Sequence, residues 1–291
     1  MLTEDQKNTY QNDGFVVVSQ VVSAKNLQAM QNELDRWIEE SKRHKKNFGE
    51  TPNGKAQFDL EQGHSAENPK LRRVANPTDI SQAYRDVLFK GPAIEAVTDL
   101  IGPNVKFHHC KVNIKLPGMQ ARVDYHQDHS FDPHTNDDHL TLLVLLDDMN
   151  EENGCLRVLK GSHKGPRYSH YDGEEYIGKV DEKIQEICRN EATKIEGKAG
   201  DICLMHTWSL HGGTANLSKN PRRMLISDLT AGDNWPLMPP MVPSVYSGKT
   251  VAGKATRQVR FREATFELPK HYKADSFFGA QGQKGEQQEI N

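Results

Sequence analysis

From residue 23 to residue 38 the apolar positions Leu27, Met30, Leu34 and Trp37/Ile38 recur at spacings of three and four, which predicts a helix burying one stripe. Ser23 stands where its N-cap belongs. Ahead of it, Thr3 and Gln6 fit a capping box, and the helix they open runs to Asp13-Gly14, where glycine can take the left-handed C-cap conformation. Phe15-Val16-Val17-Val18 is an apolar, β-branched run of strand length. Two further helices are expected, at about 80–89 and 92–101. From Lys106 the period changes to two, with Phe107, His109, Lys111, Asn113 and Lys115 on one face and His108, Cys110, Val112 and Ile114 on the other. Short strands follow at 139–146, 156–159, 194–195, 201–206 and 223–229, separated by Gly, Pro or Asn. A helical preface and then many short strands without alternating helices predict a mainly β fold with flanking helices, either an antiparallel barrel or a double-sheet jelly roll.

Length and charge narrow the picture. At roughly 150 residues per domain, 291 residues suggest two domains, but barrels and sandwiches reach this size as one. A single mixed domain over 1–278 is expected, with 279–291 having the composition of a disordered tail. Lys plus Arg number 37 against 40 Asp plus Glu, a formal charge of -3, which argues against a dedicated nucleic-acid binder. The basic cluster from Lys42 to Lys46 reads as a solvated face, and the polar stretch 47–68 as loop. The four cysteines contain no Cys-x-x-Cys pair, so neither a zinc ribbon nor a disulfide framework is written here. No apolar run approaches the length of about 18 residues that crosses a bilayer, and the first five residues lack the features of a signal peptide. A soluble, cytoplasmic protein with no membrane partner is expected, its oligomeric state unreadable.

The chain has 13 histidines, most of them between His108 and His211. His126-Gln127-Asp128 places an imidazole and a carboxylate two apart, so on a strand both leave the same face while Gln127 points to the other. His211 ends the run that begins at Gly200 and precedes Gly212-Gly213, so a strand delivers it to a tight turn. Two histidines and one carboxylate form a face that holds Fe(II) and leaves other positions open. Eleven residues on, Arg222 enters the next strand, where a guanidinium presents paired donors to a carboxylate. On the residues alone, a zinc hydrolase using the same three ligands and a non-enzymatic jelly-roll binding module with incidental histidines remain open. Arg222 separates them, because a hydrolase needs no distal carboxylate clamp. Asn113 and Lys111 share a strand face that could line a cavity, and Thr141 is a candidate hydrogen-bonding partner for a co-substrate. Trp208 and His206 read as core, Trp235 as a residue near a site mouth, and 167–190 as either a lid or a surface excursion ending in a helix.

These segments resemble the phytanoyl-CoA dioxygenase family of Fe(II)- and 2-oxoglutarate-dependent oxygenases, the group that includes ectoine and amino-acid hydroxylases. The resemblance spans most of the chain: Tyr10-Gln11-Asn12-Asp13-Gly14-Phe15-Val16-Val17, the Lys111 to Lys115 strand, His126-Gln127-Asp128, and Glu152-Asn153-Gly154-Cys155-Leu156 through Gly161-Ser162-His163-Lys164. It implies a double-stranded β-helix, iron ligands His126, Asp128 and His211, and Arg222 on the distal carboxylate of 2-oxoglutarate. It further implies O2 as oxidant, succinate and CO2 as products, and hydroxylation of a C–H bond of a small organic molecule. Lys160 stands where the family commonly has proline, and Thr141-Leu142-Leu143-Val144 lacks the tryptophan seen in phytanoyl-CoA hydroxylases, which weakens that particular substrate. The carboxylate of Asp128 favours hydroxylation or desaturation over halogenation. The polar strand and the likeness to amino-acid hydroxylases point to a small polar or carboxylate-bearing substrate.

Overall fold

Both N-terminal helices start at the caps that the sequence predicts. In α1 (Glu4–Asp13) the Thr3 hydroxyl accepts from the Gln6 amide at 3.2 Å, the Gln6 side chain accepts from the Thr3 amide at 2.9 Å, and Gly14 ends the helix at φ 85°. The strand β1 (Phe15–Val18) leads to α2 (Ala24–Ser41), where Ser23 caps Asn26 and Met30, Leu34 and Trp37 are buried. Truncating Leu34 to alanine in such a site costs about 2–5 kcal/mol. The structure, a computed structural model, describes residues 1–262; the expected tail over 279–291 and the end of the expected domain, 263–278, lie outside the described residues. Among those described, no helix is long and apolar enough to cross a membrane.

Two corrections concern the segment between α2 and the barrel. The stretch read as loop contains β2 (Phe58–Leu60), which pairs with β3 (Leu71–Ala75), a strand the pattern does not suggest. Asp59, Arg72 and Arg73 are buried together, with Arg72 Nε 3.1 Å and Arg73 Nε 3.8 Å from Asp59, so charged residues occupy positions that a hydropathy reading assigns to solvent. The helix expected at 80–89 is two pieces, α3 (Pro77–Ile80) and α4 (Gln82–Leu88), because Ser81 between them is extended. The next helix, α5 (Pro92–Ile101), carries proline in its first turn, where a missing amide proton costs nothing.

The remaining elements are β4 (Val105–Lys115), β5 (Val123–His126), β6 (His139–Leu145), β7 (Leu156–Val158), the small hairpin β8 (Tyr171–Asp172) and β9 (Glu175–Tyr176), α6 (Glu182–Glu191), β10 (Thr193–Ile195), β11 (Ile202–His206), β12 (His211–Gly213), β13 (Arg222–Ala231) and β14 (Thr250–Ala252). Two antiparallel sheets result, one ordered β1-β11-β6-β13-β4-β3-β2 with β14 also on β4, the other β10-β7-β12-β5. Period-two alternation divides the larger sheet. Leu140, Leu142, Val144, Leu225 and Leu229 join the helices in one core, while Leu143, Leu145, Met224 and Ile226 join Leu156 and Val158 of the smaller sheet in a second. This is the double-stranded β-helix expected from the strand pattern and the resemblance.

One bulge changes the expected faces of β4. Asp228 pairs with His109 and Leu229 with Phe107, so His108 is an extra residue and the alternation reverses below it. Phe107 therefore joins the helical core instead of sharing a face with His109, and His108 and His109, expected on opposite faces, both approach Asp132.

Candidate metal and co-substrate centre

β12 lies antiparallel to β5 with His211 directly opposite His126, so two strands of the smaller sheet bring the imidazoles together, ring centroids 4.2 Å apart. Asp128 follows after one extended residue, Gln127, and returns to the same side. Its Oδ1 lies 3.3 Å from His126 Nε2 and 3.5 Å from His211 Nε2, and the three ligand atoms all fall within 4.8 Å of one another. His126 Nδ1 is 2.8 Å from the Asp124 carbonyl and His211 Nδ1 3.0 Å from the Ser209 carbonyl. A carbonyl only accepts, so each Nδ1 carries the proton and each Nε2 directs a lone pair inward. Burial, reinforced by His211, lowers the pKa of His126; at His211 burial opposes the charge but the Asp128 carboxylate outweighs it and raises the pKa. Burial likewise opposes ionisation of Asp128, yet the two histidines hold its carboxyl well below the usual range. Two preset imidazoles and an ionised carboxylate suit a ferrous ion.

The surroundings are built to hold this face still. Gln127 points away from the triad, donating to the carbonyls of Trp208 at 2.8 Å and Pro166 at 3.2 Å and accepting from the Tyr168 amide at 3.0 Å. The segment 167–190 forms the β8–β9 hairpin and leads into α6, whose Gln185 both donates to the Tyr125 carbonyl and accepts from its amide, fixing the residue before His126. Thr141 departs from its expected role. Its hydroxyl is 2.9 Å from Asp128 Oδ2 and 2.9 Å from Asp228 Oδ1, so its one proton is committed to a carboxylate. His109 Nε2 lies 3.0 Å from the other oxygen of Asp228, and although burial opposes its charge, Asp228 raises its pKa.

From the triad a chamber runs between the sheets, enclosing about 720 Å³ including its open part. Asn113 lines it, its Oδ1 buried with no hydrogen-bond partner, and Lys111 lines it as the alternation predicts. Arg222 and Lys115, cross-strand partners on β13 and β4, form its far end. Arg222 Nε and Nη2 donate to the Gly154 carbonyl at 3.2 and 3.0 Å while Nη1 is buried without a partner. Lys115 Nζ reaches the Gly154 carbonyl at 3.4 Å and that of Thr214. Burial pushes Arg222 down to about 10, and burial together with Arg222 holds Lys115 well below its usual value. The Asn-Gly-Cys turn explains itself here: Gly154, at φ 77°, packs so closely on Thr214 that a Cβ would lie 2.5 Å from its carbonyl, and the turn aims its own carbonyl at both cations.

Sequence reasoning missed Lys115, Gly154, Gln185 and Arg73 as parts of the site. Lys115 continues the period-two row from Lys111 and Asn113, so its direction was legible, but its burial was not. Trp208 stacks on His129 with centroids 4.1 Å apart and donates to Asp137, a packing role. Trp235 is half-exposed beneath the Lys106 ammonium and does not line the chamber.

Residues 10–224 match the phytanoyl-CoA dioxygenase family. The chain is 33% identical over 217 residues, 73% of its length and 75% of the relative's, to a probable alpha-ketoglutarate-dependent hypophosphite dioxygenase of Stutzerimonas stutzeri. It is 27% identical over 77% of its length and 79% of the relative's to a 2-aminoethylphosphonate dioxygenase from an uncultured bacterium, HF130_AEPn_1. The crystal structure of EctD from S. alaskensis with 2-oxoglutarate and 5-hydroxyectoine superposes with a TM-score of 0.68 at 19% identity, covering 88% of this chain and 87% of that one, which places the fold. The protein belongs to the phytanoyl-CoA dioxygenase family of iron- and 2-oxoglutarate-dependent dioxygenases.

Proposed function

We propose that His126, Asp128 and His211 hold the iron of this dioxygenase, and that Arg222, assisted by Lys115, takes the far carboxylate of 2-oxoglutarate. Bound together, iron and 2-oxoglutarate supply the oxidising chemistry, in which O2 is reduced, succinate and CO2 leave, and a C–H bond is hydroxylated. No side-chain nucleophile is required of the chain, which has to order ligands, bind the co-substrate in one direction and keep water out. The carbonyls of Asp124 and Ser209 fix the two imidazoles, and Thr141 fixes the free oxygen of Asp128. Asn113 stands on the chamber wall between the triad and Arg222, with an unsatisfied acceptor that suits a donor or a bridging water.

The single observation that carries this reading is the pair of buried cations at the far end of the chamber. Lys115 and Arg222 rest on backbone carbonyls, and a carboxylate between them would relieve the burial that depresses both. A zinc hydrolase on the same three ligands would leave that pair without purpose. The hypophosphite and 2-aminoethylphosphonate relatives are named for small polar substrates, and we assign this chain a small polar substrate as well.

Mixing metal-free protein anaerobically with Fe(II) and 2-oxoglutarate should develop a visible charge-transfer band. Arg222→Ala should raise the 2-oxoglutarate concentration needed for half of that band by about 100-fold, the loss of a charge-assisted contact, while iron content stays at one per chain. An unaltered 2-oxoglutarate requirement in Arg222→Ala would remove that residue from the co-substrate site.

A further inference from the structure

The smaller sheet ends at β5, the strand that carries His126, so that strand is paired along one edge only. Successive residues of an antiparallel strand turn their amide and carbonyl to alternate edges, and Tyr125 turns both to the unpaired one. Buried backbone groups need partners, and an open edge invites stray pairing. Here the partners come from 166–185, the excursion between β7 and β10. The Tyr125 amide donates to Gln185 Oε1 at 3.0 Å, and its carbonyl accepts from Gln185 Nε2 at 2.8 Å and from the Val180 amide at 3.1 Å. Two residues on, the Gln127 amide donates to His170 Nε2 at 3.0 Å, and the Ser130 carbonyl accepts from the Tyr176 hydroxyl at 3.2 Å.

His170 is prepared for this contact. It is buried, and its Nδ1 lies 2.9 Å from the Tyr168 carbonyl, which only accepts, so Nδ1 carries the proton and Nε2 keeps its lone pair for the Gln127 amide. Burial, then the neighbouring His126, lowers its pKa to about 3, so the ring stays neutral. Its own carbonyl accepts from the amides of Ile177 at 2.9 Å and Gly178 at 3.2 Å, which closes the β8–β9 hairpin behind it. Phe131 sets its ring edge-on to His126 and to His170, centroids 5.5 and 6.3 Å away. The amide that His170 takes belongs to the peptide joining His126 to Gln127, and Asp128 follows directly. Fixing that peptide plane fixes the direction in which Asp128 leaves relative to His126.

Resting on the functional reading above, we infer that 166–185 is a fixed brace for the iron-ligand segment and not a closing lid, and that His170 is a positioning residue which holds Asp128 in register with His126 by accepting the Gln127 amide proton. The bonds named above use no atom of the triad, so the brace stands before metal arrives.

The test follows hydrogen–deuterium exchange by mass spectrometry, on peptides covering 123–131 and 166–185, in the full metal-free chain and in the anaerobic Fe(II)–2-oxoglutarate holoenzyme. Both peptides should be protected in the metal-free chain already. Protection of 166–185 that arises only in the holoenzyme would make the excursion a lid and overturn the inference, whatever becomes of any variant. His170→Phe keeps a ring and removes the acceptor; it should speed exchange within 123–131 and raise the iron dissociation constant, measured by competition with a chelator, each by about 10-fold. His170→Gln returns an acceptor at similar reach and should recover most of both losses. Asp172→Ala, at an exposed position of the same hairpin, should change neither. A folded His170→Phe that binds iron as the parent does, or a His170→Gln no better than His170→Phe, removes His170 as a positioning residue while the functional reading stands. If the parent takes up no iron although its two peptides are protected, the functional reading falls and the role of His170 falls with it.

Discussion

Two clusters of two histidines and an aspartate lie in the described part of this barrel, His126/Asp128/His211 and His108/His109/Asp132, and both have ligand atoms within 4.8 Å of one another. Only their surroundings separate them. In the first, one carboxylate oxygen faces both Nε2 atoms at 3.3 and 3.5 Å, and each Nδ1 is pinned to a backbone carbonyl, so two lone pairs converge on one point. In the second, Asp132 uses different oxygens for His108 and His109, at 3.4 and 4.0 Å, and His109 Nε2 is nearer to Asp228, at 3.0 Å. His109 Nε2 is thus drawn toward a carboxylate outside the cluster. Composition and proximity do not make a metal site; what sits behind the ligands does.

The difference can be broken at its strongest point first. His126→Ala or Asp128→Gly is expected to abolish succinate release and bring iron, measured per chain by elemental analysis, from one to near zero. Asp132→Asn should leave that stoichiometry at one, and two ions per chain in the parent protein would give the second cluster metal status after all.

Next comes the bridge between the clusters, Asp128–Thr141–Asp228–His109. Thr141→Val keeps the shape and removes the hydroxyl, and loss of such an outer partner typically costs about 10–100-fold in metal affinity. Competition with a chelator would measure it; an unchanged iron affinity would mean that Asp128 is fixed without Thr141.

The third contrast is protonic. Burial, then His108, lowers His134 to about 4, and burial also holds His129 and His139 well below their usual values. The unfolded chain takes up these protons near pH 6.5 while the folded one refuses them, so stability is full above that pH and falls as pH drops from about 6.5 toward 4. His109, raised by Asp228 against burial, contributes in the opposite sense and offsets part of the loss. The slope is about 1.4 kcal/mol per pH unit for each refused proton. His134→Gln should therefore flatten the fall in urea midpoint between pH 6.5 and 5 by about one such increment, and a slope equal to the parent's would show that His134 is protonated in the fold.

Much of this was legible before any coordinate. Alternation from Lys106 to Lys115 put Lys111 and Asn113 on the chamber wall and gave Lys115 the same direction, because a strand's side-chain period is fixed by its backbone. It failed at Phe107 and His108, where a bulge adds a residue and reverses the faces, since a bulge is a property of two strands in register. β3 was hidden because Arg72 and Arg73 are buried against Asp59 in the interior, and a hydropathy pattern sees their charges but not their pairing.

By itself the sequence determined the caps, the two periods and a mainly β fold, and it nominated the ordered set His126, Asp128, His211 and Arg222; the double-stranded β-helix and the oxygenase chemistry came with the family resemblance. Tertiary structure alone decided that His211 stands opposite His126, that the Thr141 hydroxyl lies between Asp128 and Asp228, that Lys115 stands across from Arg222, and that His109 of a second His-His-Asp cluster lies nearest to a carboxylate outside it. Local preferences act over a few neighbouring residues and can be read along the chain, whereas the worth of a buried charge depends on partners that arrive from distant strands.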